Sequence, residues 1–179
     1  MREGDILTHF YHGMGDGGFT GEDGAPGKAL RDARARGVLL DVGHGSGCFS
    51  WRVAEAACAR HNFWPDTISS DLHIFNLVSP VVDLPTTMSK FHHLGMSLEN
   101  VIRAATTRAA EAMNQPQLGR LQVGRPADIT VLQMDEGRHV LTDSASEERI
   151  ASRRLVPICV FKNGERSACH TEYRAARLA

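Results

Sequence analysis

Val38-Leu39-Leu40-Asp41-Val42-Gly43-His44-Gly45 is the stretch on which the fold turns. An apolar run of strand length ends on a histidine held between glycines, bounded as a buried strand would be. Upstream, Asp5-Ile6-Leu7-Thr8 leads in the same way into His9. Downstream, Thr67-Ile68-Ser69-Ser70 leads into Asp71. His9 and His44 are 35 residues apart, and His44 and Asp71 are 27 apart. Each gap is about one strand-plus-helix unit. Metal-capable side chains at the ends of three strands, with helical text between them, predict a (β/α) barrel whose site lies at the C-terminal strand ends. Two imidazoles and one carboxylate suit zinc or a similar divalent ion.

The text between the strands agrees. Residues 28–36 (KALRDARAR) are strong helix formers that stop at Gly37. Residues 49–61 read as an amphipathic helix with Phe49, Val53, Ala56 and Ala57 on one face. Residues 84–94 form a helix opened by Pro85 and closed by Gly95, and Ser97 caps a single helix running to Met113. Residues 12–27 hold seven glycines, which suits a loop at the catalytic face, either a lid or a disordered connection. Gly43, Gly45 and Gly47 bracket His44 and let the backbone approach a ligand.

From Leu118 the periodicity changes. Residues 127–132 and 155–162 read as strands, Asn163-Gly164 as a hairpin turn, and the polar 137–152 as a loop or edge hairpin. The basic tail 171–179 reads as frayed. The expected organisation is a partial barrel over residues 1–115 followed by a β-rich segment over 116–179.

Composition narrows the function classes. The chain has 179 residues, a net charge of −1, 42% hydrophobic and 23% charged residues, ordinary for a globular protein. A near-neutral balance gives no reason to expect nucleic acid or an anionic membrane as partner. No apolar run approaches the ~20 residues that cross a bilayer. Met1-Arg2-Glu3-Gly4-Asp5 is no signal core, so a cytoplasmic location is expected. Cys48, Cys58, Cys159 and Cys169 form no CxxC pair and read as free thiols.

These stretches together resemble the amidohydrolase superfamily, in its deacetylase-like and dihydroorotase-like branch. The matching text is LTHFYHG at 7–13, LDVGHGSGCFSWRVAEAA at 40–57, DTISSDLH at 66–73, LPTTMSKFHHLGMSLENVIRAATTRAA at 84–110 and LGRLQVGRPADITVL at 118–132. The resemblance implies a metal-dependent hydrolase acting on an ester, amide or cyclic amide of a small-molecule substrate through a metal-activated water. It implies that His9 is the ligand on barrel strand five, His44 that on strand six, and Asp71 the strand-eight aspartate. In that scheme Asp71 also takes the proton from the attacking water. His12, His73 and Gly45 are then candidates for substrate contact. Asp41, inside a strand, is expected to brace the backbone.

One departure is large. The family carries a His-x-His pair on strand one and a lysine on strand four, and neither is found before His9. The sequence therefore matches the C-terminal half of a TIM-type (β/α)8 barrel plus part of a small β-sandwich, with at most one metal expected. Half a barrel exposes strand edges and an apolar inner face, which favours a homo-oligomer or pairing with a separate N-terminal half. The alternatives are an inactive half-barrel that serves only in assembly or is a remnant, and a dihydroorotase-like cyclic amidase.

Overall fold

The computed structural model describes residues 1–14 and 25–169. Most of the glycine-rich loop and the basic tail, on which the lid and fraying expectations fall, lie outside the described residues.

The first part is α/β. Strand β1 (Ile6–Leu7) pairs in parallel with β2 (Leu39–Leu40), in the register Ile6 to Leu39 and Leu7 to Leu40. Helix α1 (Lys28–Ala35) connects them and buries Leu30 and Ala33. The 66–70 segment lies along the other side of β2. Asp41 and Thr67 form a parallel bridge, and the backbone bonds continue from His44 N to Ser69 O and from Gly45 N to Ser70 O. Three chain segments thus run side by side, in chain order and in one direction. Leu40 and Val42 are completely buried and Ile68 nearly so, as a sheet covered on both faces requires.

The connection from β2 to the third segment is α2 (Trp51–Ala54), which widens over Glu55–Arg60. There the backbone bonds run to the fifth residue back, as from His61 N to Ala56 O. Helix α3 (Leu84–His93) begins at Asp83, whose carboxylate accepts from Thr86 N, with Pro85 in the first turn. The helix expected over 97–113 is instead two, α4 (Leu98–Ala105) and α5 (Thr107–Ala112). The Ala104 carbonyl turns out of the helix to accept from Ile68 N. Thr106 Oγ1 donates back to Ile102 O, and the helix breaks at Thr106.

The remainder is an antiparallel sheet of β3 (Ile129–Thr142), β4 (Glu148–Lys162) and β5 (Glu165–Ala168). The polar 137–152 stretch is thus mostly strand, bulged at Gly137–Arg138 and turning at 143–147. The turn docks on the α/β part. Asp143 is buried, and its carboxylate accepts from Trp51 N, Ala145 N and Glu147 N. Trp51 Nε1 donates to Leu141 O, and Arg149 makes a two-pronged pair with Glu55 at 2.6 and 3.2 Å. Leu141, Ala151 and Leu155 belong to the same apolar core as Leu40, Phe49, Trp51 and Phe91.

Candidate functional site

The three strand ends are tied together by one carboxylate. Asp41 accepts from Thr8 Oγ1 at 2.8 Å, from Thr67 Oγ1 at 2.7 Å and from Ser69 Oγ at 2.5 Å. Each donor belongs to a different position on the flanking segments, so Asp41 spans all three. Asp41, expected to brace the backbone, bonds instead to side-chain hydroxyls of the neighbouring segments. Thr8 immediately precedes His9, and Ser69 lies two residues before Asp71, so the clamp sets where both begin.

His9 and Asp71 both leave their strands in the left-handed region, at φ of 66° and 47°. Histidine and aspartate tolerate that region better than most residues, yet the conformation costs energy and turns each side chain sharply away from its strand. The spaces they turn into are vacated by glycines. A Cβ on Gly43 would sit 2.5 Å from His9 Nδ1, and one on Gly45 would sit 2.6 Å from Asp71 Oδ2. Gly45 therefore adjoins the Asp71 carboxylate directly. His9 Nδ1 donates to Gly43 O at 2.6 Å, which leaves the lone pair on Nε2. That is how a metal-binding imidazole is commonly oriented.

His44 is placed differently. It is completely buried and stacks on Phe49 with ring centroids 4.7 Å apart. Nδ1 lies 2.9 Å from Gly45 O, and Nε2 lies 2.6 Å from Lys90 Nζ. Lys90, on α3, is also completely buried. Burial, reinforced by the Lys90 charge, lowers the His44 pKa to about 3; burial lowers that of Lys90 to about 7, against the pull of Asp143.

The structure therefore brings His9 and Asp71 to either side of the 43–45 loop but turns His44 inward. Among the described residues no group of three His, Cys, Asp or Glu is gathered to hold a metal ion. A divalent ion suits the chemistry of His9 Nε2 and the Asp71 carboxylate. It does not suit His44, both of whose ring nitrogens are engaged.

Of the substrate-contact candidates, His73 is exposed and bonded, through Nε2 to Ser46 Oγ at 3.1 Å and through Nδ1 to Phe75 N. It links the loop after His44 to the loop after Asp71. His12 is half-buried just beyond β1. Asn76, which sequence reasoning passed over, is buried beneath the loop after Asp71 and donates to Asp71 O at 3.0 Å. An irregular stretch carries no periodicity to flag such a residue. Cys48 lies near Asp71, and burial together with that carboxylate raises its pKa. A cavity of about 510 Å³ lined by Trp64, Asp66, Asn100 and Arg103 borders the start of the third segment, away from these strand ends.

Residues 58–166 match the Amidohydrolase family. The chain belongs to that family. It is 38% identical over 154 residues to a deacetylase of Agrobacterium fabrum and 35% identical over 170 residues to a deacetylase of Enterococcus faecalis. These alignments cover 86% and 92% of this chain but 37% and 45% of those proteins. Among solved structures, an adenine deaminase matches with a TM-score of 0.88 at 32% identity, and a dihydroorotase with 0.80 at 34%. Each match covers 94% of this chain, and 46% and 45% of the respective structures. The chain thus spans less than half the length of these relatives. The amidohydrolase family is one of hydrolases that generally use divalent metals.

One detail of the resemblance needs correction. Placing His44 on strand six and Asp71 on strand eight requires a strand between them. Residue 41 bridges residue 67 directly, and the backbone bonding continues to Gly45 and Ser70. No strand intervenes, so His9, His44 and Asp71 end three consecutive segments. Among the described residues no helix is long and apolar enough to cross a membrane.

Proposed function

We propose that this chain is the C-terminal half of a TIM-type (β/α)8 barrel over residues 1–115, joined to part of a β-sandwich over 116–179, from a metal-dependent hydrolase of small acyl substrates. Deacetylase-like cleavage of an amide or ester is the narrower reading, supported by 35–38% identity to deacetylases over most of the chain. The observation that carries the proposal is the placement of His9 and Asp71. They lie on the two sides of the 43–45 loop, each turned sharply off its strand against a glycine.

In this reading His9 Nε2 and the Asp71 carboxylate would hold a divalent ion, with zinc the leading choice. When bound, the ion would make water acidic enough to attack a carbonyl near neutral pH. Asp71 then accepts a proton at its carboxylate and passes it to the departing nitrogen or oxygen. Gly45 leaves room for that carboxylate. Gly43 O fixes the His9 ring. His12 and His73 contact substrate from the flanking loops. Remaining ligands would lie in the part of the relatives' length that these residues do not span, or on a second copy.

Elemental analysis of the purified chain tests this. About one divalent ion per chain is expected, lost in His9→Ala and in Asp71→Ala. Equal metal content in all three proteins would sink the reading. An assay on N-acetylated amino acids and cyclic amides, with and without a co-expressed N-terminal half, separates deacetylase-like from dihydroorotase-like action. Metal uptake without turnover in either setting would favour the assembly-only reading.

A further inference from the structure

Lys90 carries a charge-capable amine in a place where, among the described residues, no carboxylate bonds to it. Its Nζ has three acceptors: His44 Nε2 at 2.6 Å, Pro80 O at 2.9 Å and Thr142 O at 2.5 Å. An ammonium has three donors, so each finds one partner. That pattern requires His44 to accept at Nε2 and to donate from Nδ1 to Gly45 O, which lies 2.9 Å away. The tautomer follows from the network.

The partners belong to four parts of the fold. Lys90 sits on α3, Thr142 ends β3, Pro80 lies in the connection that follows Asp71, and His44 is in the loop after β2. From His44 the chain of contacts continues to the candidate site. Gly45 N donates to Ser70 O at 3.0 Å, and the Cα of Gly45 faces Asp71 Oδ2. Asp71 is held in a left-handed conformation, which persists only where its surroundings enforce it.

We propose that His44 and Lys90 are a positioning pair: they lock the 43–45 loop to α3 and the end of β3, and through Gly45 they hold the Asp71 carboxylate in place, while neither binds the metal. This rests on the reading of His9 and Asp71 as the metal-binding pair.

Four variants of the full chain test it: Lys90→Met, His44→Leu, His44→Gln and His9→Ala. Glutamine can place an acceptor near the position of Nε2, whereas leucine cannot. Zinc affinity is measured by titration at a temperature where all four are folded. Lys90→Met and His44→Leu are expected to bind about tenfold more weakly, the effect of disturbing a support behind a ligand. His44→Gln is expected to stay near wild type, and the double variant of Lys90→Met with His44→Leu to be no worse than either single one. Loss of zinc in His44→Gln to the level of His9→Ala would make His44 a ligand and overturn the proposal.

Amide hydrogen exchange at Gly45 gives a second readout that needs no metal. Faster exchange is expected in Lys90→Met and His44→Leu but not in His44→Gln. If the wild-type chain takes up no zinc, the metal reading fails and exchange alone judges the pair. Unchanged Gly45 exchange in Lys90→Met and His44→Leu would overturn the positioning role whatever the metal result.

Discussion

Lys90 Nζ and His44 Nε2 meet at 2.6 Å with both side chains removed from water, 46 positions apart in the chain. Two basic groups share one interior site with no carboxylate bonded to the amine among the described residues, and stability must respond to pH accordingly.

The direction follows from both groups. An unfolded lysine stays charged to about pH 10.4, whereas Lys90 in the fold gives up its proton near pH 7. Unfolding therefore takes up a proton between these values, and the burial penalty is full below pH 7 and relieved as pH rises. An unfolded histidine takes a proton below about pH 6.5, whereas His44 stays neutral to about pH 3. Its contribution is lost as pH falls through that window. Urea melts from pH 4 to 9.5 are expected to show stability rising with pH. Lys90→Met flattens the slope above pH 7, and His44→Gln flattens it below pH 6.5. Parallel curves for all three proteins would contradict this.

Gly45→Ala is the sharpest small change available at the site. The residue has a φ of 51°, and the new methyl would meet Asp71 Oδ2 at 2.6 Å. The left-handed backbone alone costs about 1–2 kcal/mol with a Cβ present, and Asp71 must move as well. A lowered melting temperature together with weakened zinc binding is expected. A variant that melts lower yet binds zinc normally would show that Gly45 does not govern Asp71.

Removing the Asp41 carboxylate strands three hydroxyls at once. Asp41→Ala is expected to cost about 2–4 kcal/mol, because each partner loses a charge-assisted bond in a partly buried place. Asp41→Asn keeps the shape and one acceptor oxygen and falls between. Chemical denaturation of the two variants measures both, and a loss under 1 kcal/mol in Asp41→Ala would mean the clamp is replaced by water.

The thiols are expected to differ in reactivity. Cys58 is buried beside Tyr11, and burial pushes its pKa up to about 12. Cys159 is buried as well, while Cys48 and Cys169 are partly accessible. Brief iodoacetamide treatment at pH 7.5 followed by peptide mass spectrometry should label Cys48 and Cys169 well ahead of Cys58 and Cys159. Early labelling of Cys58 would mean that the core around Tyr11 opens readily.

What the sequence discloses here is what local periodicity encodes. Strands β1 and β2, α1 and the caps at Pro85 and Ser97 follow from short-range patterns, and the structure places them as expected, whereas the strand expected over 66–70 is a single bridge at Thr67. The break at Thr106 does not, because it arises when a strand amide, Ile68 N, captures the Ala104 carbonyl. Nor does the partner of His44. In sequence Lys90 reads as a pocket-lining or helix-capping residue, and only the folded chain turns it inward onto a residue far away in sequence. The polar 137–152 stretch, expected as a loop or edge hairpin, is the turn of the β3–β4 hairpin with its flanking strand ends, and half of its residues are exposed. Direct adjacency of the segments behind His44 and Asp71 is likewise a matter of pairing, which spacing alone leaves open.

The docking of the β3–β4 hairpin has a practical side. Its turn near Asp143 and Arg149 and its inner face at Leu141, Ala151 and Leu155 make the attachment, while Asn163 and Gly164 turn the chain at the far end among exposed residues. That end is a natural handle: a dye, an epitope or a short peptide grafted there would report on the chain, or immobilise it, while the side chains around Asp71 keep their places.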